Sequence, residues 1–390
     1  MIDSQHWKLN RILLLLIGVW PLQQSNLTRF QFIFLSIIQI TSIICQLMTL
    51  FTTKCTPDGV VTVLSLVLMF SFCGVTYNLF FLKIELMKDL LVQLQNVYIG
   101  LKDKHEIAIM NNYICNAKRY TLIFTILAVC LSFTSVIILS PKILYIILPM
   151  NVSLLNRQPI RMEYFIDQEM YDYLISLHIS MSICIGTIAM AAIGTIIVVC
   201  LQYICGMFRI SSFRIKRAVH INMLQNIKAT KGNLILEGII SAVDMHRQAM
   251  KLTKLLLSIE ETMMFCLIML GVMTLSINLF RIFQVISTGD EFKEFIIPSA
   301  YVVAITLYFF LGNYFAQDVT DHNNDIFATV CDVQWYAAPL YIQKLLLFLL
   351  QRNSKDFTLC IGGLFVASMK CFATLLKTSF SYFTVMYSTQ

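Results

Sequence analysis

Asp318, Asp321, His322 and Asp325 form a set with helical spacing and ligand-type side chains. Three carboxylates and an imidazole on one helix could hold a divalent cation. The same spacing describes a solvated helix face, and that reading outweighs the cation one. The 12 cysteines show no zinc-finger spacing, and Cys45, Cys73, Cys130, Cys184, Cys200, Cys266, Cys360 and Cys371 lie in apolar runs. Cys200 and Cys205, the closest pair, read as small packing residues. Only Cys55 falls in an outside loop, so no stabilising extracellular disulfide is expected. His-Glu-x-x-His, the Walker loop and Gly-x-Ser-x-Gly are all missing from the sequence. No catalytic residue, metal or cofactor is therefore expected. His178 lies one turn into an apolar segment. It reads first as a packing histidine, and more sharply as a hydrogen-bond donor in a pocket.

The last apolar segment carries the clearest pattern. Ala367, Cys371, Thr374, Thr378, Ser381, Val385 and Ser388 follow one another at steps of 4, 3, 4, 3, 4 and 3, which is one helix face of small side chains. The opposite face collects Phe365, Phe372, Leu376, Phe380, Phe383 and Tyr387. A helix in lipid gains nothing from a stripe of hydroxyls. The stripe fits close helix–helix packing. It equally fits the wall of a water-filled pore, with Val385 as an apolar ring that gates by dewetting. Lys370 and Lys377 sit about 60–80° round from the Val385 line at 3.6 residues per turn. They point to a subunit interface, a carbonyl or cytoplasmic water.

These residues need elements to hold them, and composition says which. Of the 390 residues, 58% are hydrophobic and 13% charged, with mean hydropathy +0.74. Ordinary soluble domains are about 45–50% apolar and about 25% charged. Lipid must therefore solvate the excess. Seven stretches are long enough to span a bilayer: 30–52, 60–82, 121–148, 174–204, 262–286, 295–317 and 358–387. No repeat or linker divides the chain, so residues 1–390 read as a single all-α, seven-helix membrane domain. Residues 11–22 mimic a signal peptide but lack a small-x-small cleavage site, and read as an uncleaved segment packed at the cytoplasmic surface.

Charge sets the orientation. With the N-terminus inside, cytoplasmic regions hold 21 of the 29 Lys and Arg residues, and outside regions hold four: Lys54, Arg157, Arg161 and Lys293. Lys142, Arg281, Lys370 and Lys377 lie within the segments; Lys142 and Arg281 are near enough to their ends to snorkel. The C-terminus is then extracellular, opposite to a G-protein-coupled receptor. Asn151-Val152-Ser153 falls outside as a usable sequon, and Asn26-Leu27-Thr28 falls inside. The net charge of +7 belongs to this bias rather than to a nucleic-acid surface. A secondary transporter would show inverted repeats and broken helices, and neither is visible.

Both ends of the chain resemble the insect odorant receptor family. Gly18-Val19-Trp20-Pro21 resembles the family's glycine-x-tryptophan-proline motif before the first span. Trp335, Pro339 and the Leu345-to-Leu350 run resemble the cytoplasmic helix before the last span. Leu376-Lys377-Thr378-Ser379-Phe380-Ser381-Tyr382-Phe383-Thr384, with Phe372 upstream, resembles the terminal pattern of that family. Six positions after the tyrosine, where gustatory receptors and the odorant co-receptor carry glutamine, this chain has Ser388. The long co-receptor loop after the fourth span is missing too. The resemblance is thus to a tuning subunit; a gustatory-type channel or a transporter is the alternative.

The resemblance implies an odorant-gated, non-selective cation channel in the plasma membrane of a sensory neuron. It implies a heterotetramer with the odorant co-receptor, and a small volatile odorant as ligand. The pore would be lined by Thr374, Thr378, Ser381, Val385 and Ser388, which favours the pore reading of the stripe. Regions 205–261 and 318–357 would form a helical cytoplasmic anchor. The ligand site would lie in the outer halves of the second, third, fourth and sixth spans. There the sequence offers Phe70, Phe72, Ser135, Leu139, Tyr145, His178, Met181, Ile185, Tyr301, Ile305 and Tyr308. This set is aromatic and apolar, which suits a small volatile. Aromatic residues at helical spacing are equally ordinary packing.

Overall fold

The computed structural model describes residues 7–52, 57–139, 168–224, 231–288, 292–333, 335–353 and 357–389. Among them are ten α-helices: α1 (Lys8–Leu16), α2 (Asn26–Thr52), α3 (Pro57–Leu82), α4 (Ile84–Gly100), α5 (Lys104–Leu139), α6 (Gln168–Leu224), α7 (Lys231–Thr288), α8 (Phe292–Asp332), α9 (Leu340–Asn353) and α10 (Met369–Ser388). Six of these (α2, α3, α5, α6, α7 and α8) are long and apolar enough to cross a membrane. α10, 20 residues long and more polar, is not among these six.

α2 identifies the solvent for which this fold is built. Phe30, Ile33, Phe34, Ile37, Ile40, Ile44 and Phe51 are exposed, while Ser36, Gln39, Ser42, Gln46 and Thr49 are buried. Such a helix is inside out for water. In lipid the acyl chains cover the apolar face, and the polar groups seek partners inside the bundle. Ser36 Oγ donates to Asn78 Oδ1 of α3 at 3.1 Å, and Gln39 Nε2 donates to the Ser182 carbonyl of α6 at 2.5 Å.

α6 and α7 have 57 and 58 residues. At 1.5 Å per residue each is about 85 Å long, nearly three times a ~30 Å hydrocarbon core. The overhang occupies the regions expected to form a helical anchor: α6 continues to Leu224, α7 begins at Lys231 and α8 runs to Asp332. Charge pairs hold this overhang together. Arg214 of α6 makes a bidentate pair with Glu106 of α5, both bonds 2.7 Å, and reaches Ser241 of α7 at 2.8 Å. Arg217 pairs with Asp103 just before α5. The His105 amide, and then Arg217, hold the Asp103 carboxyl below its ordinary pKa. His246 of α7 bonds Asn323 of α8 at 2.9 Å, both buried.

The N-terminal segment packs into this same end. Trp7 stacks on Tyr203 of α6 at 5.0 Å, and Asn10 Nδ2 donates to Thr195 Oγ1 at 3.0 Å. Tyr77 OH donates to the Ile17 carbonyl at 2.6 Å. Gly18 turns the chain with φ 72°, and a Cβ there would lie 2.9 Å from the Thr28 carbonyl oxygen. A side chain at this position would meet both strain and a clash.

The expected span 358–387 is helical only from Met369. Before it, Cys360–Ile361 (β1) pairs antiparallel with Phe365–Val366 (β2). Gly362 and Gly363, with φ 59° and 67°, turn the strands back on each other. Two consecutive left-handed residues make the tight hairpin turn that only glycine forms readily. Ser368 then caps α10, its Oγ accepting from the Cys371 amide at 3.2 Å. Hydropathy alone does not separate an apolar hairpin from the start of a helix.

Candidate ligand site and pore face

Two layers of side chains hold Phe70 with Tyr301 and Phe72 with Tyr308 from the ligand candidates. In the first, Phe70 packs with Leu66 of α3, Ile175 and Ile179 of α6, and Ile297 and Tyr301 of α8. In the second, Phe72 meets Tyr308 edge to face, ring centroids 5.1 Å apart. The Tyr308 hydroxyl lies 3.7 Å from Met264 Sδ of α7. Ile305 and Ile185 are both buried. The i, i+4, i+7 spacing of Tyr301, Ile305 and Tyr308 thus turns one face of α8 into the bundle, touching α3 at two depths.

The remaining candidates differ. Met181 is on the exposed side of α6. His178 faces α2, its Nε2 3.1 Å from Thr41 Oγ1 and 3.5 Å from Ser42 Oγ, so it serves as a polar tie between helices. Ser135 and Leu139 belong to α5, but their side chains lie outside the described residues, as do Tyr145 and the Asn151 sequon. A cleft of about 220 Å³ lined by Trp7, Tyr98, Ile107 and Tyr203 sits at the charged end, away from both layers.

A polar feature of this region went unread in the sequence. Both amide atoms of Gln46, Gln39 Oε1 and Ser182 Oγ are buried without a hydrogen-bond partner in the structure. Unpaired amides in a dry interior cost a few kcal/mol, so such groups call for water or a ligand. The signal was present: Gln39, Ser42, Gln46 and Thr49 recur at steps of 3, 4 and 3 in an otherwise apolar helix.

On α10 the two faces have parted as their side-chain sizes require. Phe372 packs edge to face on Phe310 of α8 at 5.6 Å, and Tyr387 on Phe283 of α7 at 4.6 Å. Phe383 also reaches Phe283, and Ser276 Oγ donates to the Ser379 carbonyl at 3.0 Å. Thr374, Ser381, Val385 and Ser388 are exposed and Thr378 is half-buried. Thr374, Thr378 and Ser388 hydroxyls bond back to their own helix, at 2.9 Å each. From Thr374 onward the stripe therefore contributes little to packing within one chain, whereas Cys371 packs partly buried against the core. Ala367, its first member, precedes the helix and is buried instead.

The family profile for the 7tm odorant receptor matches residues 56–380. The chain belongs to the odorant receptor family. Two solved structures share its fold. The insect olfactory receptor OR5 from Machilis hrabei in complex with eugenol aligns with TM-score 0.76 at 14% identity, over 100% of this chain and 99% of that one. A second structure of the same Machilis hrabei receptor aligns with TM-score 0.78 at 13% identity and the same coverage. No curated protein sequence matches significantly. At this identity the structural likeness speaks for the fold, and the family match for the role. The receptor is a multi-pass membrane protein of odorant reception and not an enzyme.

Proposed function

We propose that this receptor is a tuning subunit of an odorant-gated, non-selective cation channel, with the pore wall formed by the exposed face of α10. The observation that carries the reading is the division of that helix. Phe372, Phe383 and Tyr387 pack on α7 and α8, with Phe380 half exposed, while Thr374, Ser381, Val385 and Ser388 of the hydroxyl stripe are left exposed. Lipid does not reward an outward row of hydroxyls, whereas the water-filled axis of an oligomer does. Four chains around one axis, this receptor together with the odorant co-receptor, would join their stripes into a continuous wall. Val385 would form the apolar constriction.

The ligand is a small volatile held between α3, α6 and α8, at the Phe70–Tyr301 and Phe72–Tyr308 layers. Eugenol, the molecule in the Machilis hrabei complex, is of this class: small, aromatic and weakly polar. The N-terminus is cytoplasmic and the C-terminus extracellular, in the plasma membrane. The overhanging ends of α6, α7 and α8, with α9, act as the anchor between subunits.

Voltage clamp with an odorant panel tests the reading, with and without the co-receptor. Current within milliseconds of odorant, in the absence of intracellular nucleotide, is the expected result. Odorant responses that require nucleotide, or odorant uptake without current, would overturn it.

A further inference from the structure

The sequence placed Asp318 and His322 on a helix face with no partner from elsewhere. The fold supplies one. Cys205 of α6 is fully buried, and its Sγ lies 3.8 Å from Asp318 Oδ2. His322 Nδ1 lies 3.2 Å from Asp318 Oδ1 and 2.7 Å from the Asp318 carbonyl oxygen. One donor atom from each of Cys205, Asp318 and His322 falls within 4.8 Å of the others. Around them, His322 Nε2 is 2.7 Å from the Tyr113 hydroxyl of α5, and Gln202 Nε2 donates to Asp318 Oδ2 at 3.2 Å.

From this geometry we infer that Cys205, Asp318 and His322 form a binding site for a borderline-soft divalent cation of the zinc class, tying the charged ends of α6 and α8 together. The donor set is the first argument. Thiolate, imidazole and carboxylate select zinc-like ions over calcium or magnesium, which take oxygen ligands. Distance is the second. Zinc bonds of about 2.3 Å to sulfur and about 2.0–2.1 Å to nitrogen and oxygen give tetrahedral edges of about 3.5 Å for S···O and about 3.3 Å for N···O. The observed 3.8 Å, to Asp318 Oδ2, and 3.2 Å, to Asp318 Oδ1, are within a few tenths of these, so the carboxylate would bind through both oxygens or turn to present one.

Charge is the third argument. A thiolate and a carboxylate in contact would repel each other in a half-buried place, and a dication cancels both. In the metal-free state the Cys205 thiol lies beside the Asp318 carboxylate, and the imidazole sets Nδ1 against the Asp318 carbonyl and Nε2 against the Tyr113 hydroxyl. On binding, the thiol proton is released to solvent. Nδ1 gives up its proton to take the cation, and Nε2–H donates a hydrogen bond to the Tyr113 oxygen, which fixes the ring. Cation, thiolate and carboxylate then sum to zero. Solvent has a way in, because the Asp318 and His322 side chains are 27% and 19% exposed. The exposed Asp321 and Asp325 make that mouth acidic, with exposed Arg209 the opposing charge. A water, or the Gln202 amide oxygen after a side-chain flip, completes four ligands.

The test is independent of whether the receptor conducts. Purified full-length receptor in detergent is titrated with cobalt(II), whose thiolate complexes absorb strongly in the near ultraviolet, and then with zinc. Wild type and Cys200→Ser should each develop the charge-transfer band at one equivalent, and zinc should abolish it. Cys200 is buried on the same helix but lies outside the triad. Cys205→Ser should lose the band, and His322→Ala should weaken cobalt binding at least tenfold. A monodisperse wild-type receptor that develops no band overturns the inference without recourse to any variant. So does a band that persists unchanged in Cys205→Ser or in His322→Ala.

Discussion

Replacing Val385 by serine should raise the unliganded current. Val385 is 57% exposed in the single chain, so the substitution removes little packing within the subunit. Exposed substitutions of this kind stay within about 0.5 kcal/mol of wild-type stability. In a closed pore that exposed surface would be covered by the same residue of its neighbours. Complete burial of a valine side chain is worth roughly 1.5 kcal/mol, so covering just over half of it contributes about 0.8 kcal/mol to the closed state. That favours opening by about fourfold for each altered subunit. Two altered subunits in a mixed tetramer should give about a tenfold to twentyfold gain in resting conductance, less if the co-receptor's own gate dominates. The assay is resting current under voltage clamp, normalised to surface labelling. Phe383→Ser is the contrasting variant. It empties the contact with Phe283, costs about 3 kcal/mol and should lower surface expression instead. Val385→Ser at normal surface level, with wild-type resting current and odorant sensitivity, would refute the gate argument.

Tyr308→Ala removes the edge-to-face partner of Phe72 and should shift odorant dose–response curves about fivefold or more at unchanged surface level. Unchanged curves across a broad panel would take the residue out of the site. Arg214→Ala leaves the Glu106 carboxylate without its bidentate partner at a site where both side chains are mostly buried. We expect a loss of about 2–4 kcal/mol, read as a lower melting temperature of the purified receptor, and substantial recovery in Arg214→Met/Glu106→Met. For topology, a tag at residue 390 should be stained on intact cells and a tag at residue 1 should not. Asn151→Gln should remove any glycan and Asn26→Gln should leave glycosylation unchanged, whereas surface staining of the N-terminal tag alone would invert the orientation.

What the sequence disclosed follows from the range of its signals. Spans are local: about 20 apolar residues in a row say what they are, and the starts of α2 and α3 fall within four residues of expectation. The two faces of α10 were legible because a 3.6-residue period sorts small from large within a single helix. The hairpin at Cys360–Val366 escaped because an apolar run has no period of its own, although Gly362-Gly363 marked the turn. Pairings between helices were beyond reach. Nothing near His322 announces Cys205, 117 positions earlier on another helix, and nothing near His178 announces Thr41. The length of α6 and α7 was hidden for a different reason. Their polar ends look like loops to a hydropathy window, while helix propensity and the Arg214–Glu106 clamp keep them helical.

The central claim, that the outward face of α10 lines an aqueous path, is tested most directly by cysteine substitution from 381 to 389 with a membrane-impermeant external thiol reagent. Odorant-evoked current should fall on modification with helical periodicity, most strongly at Ser381, Val385 and Ser388, and little at Phe383 and Tyr387, which pack on Phe283. Uniform modification along the segment, or none at any position in channels that still respond to odorant, would contradict the account.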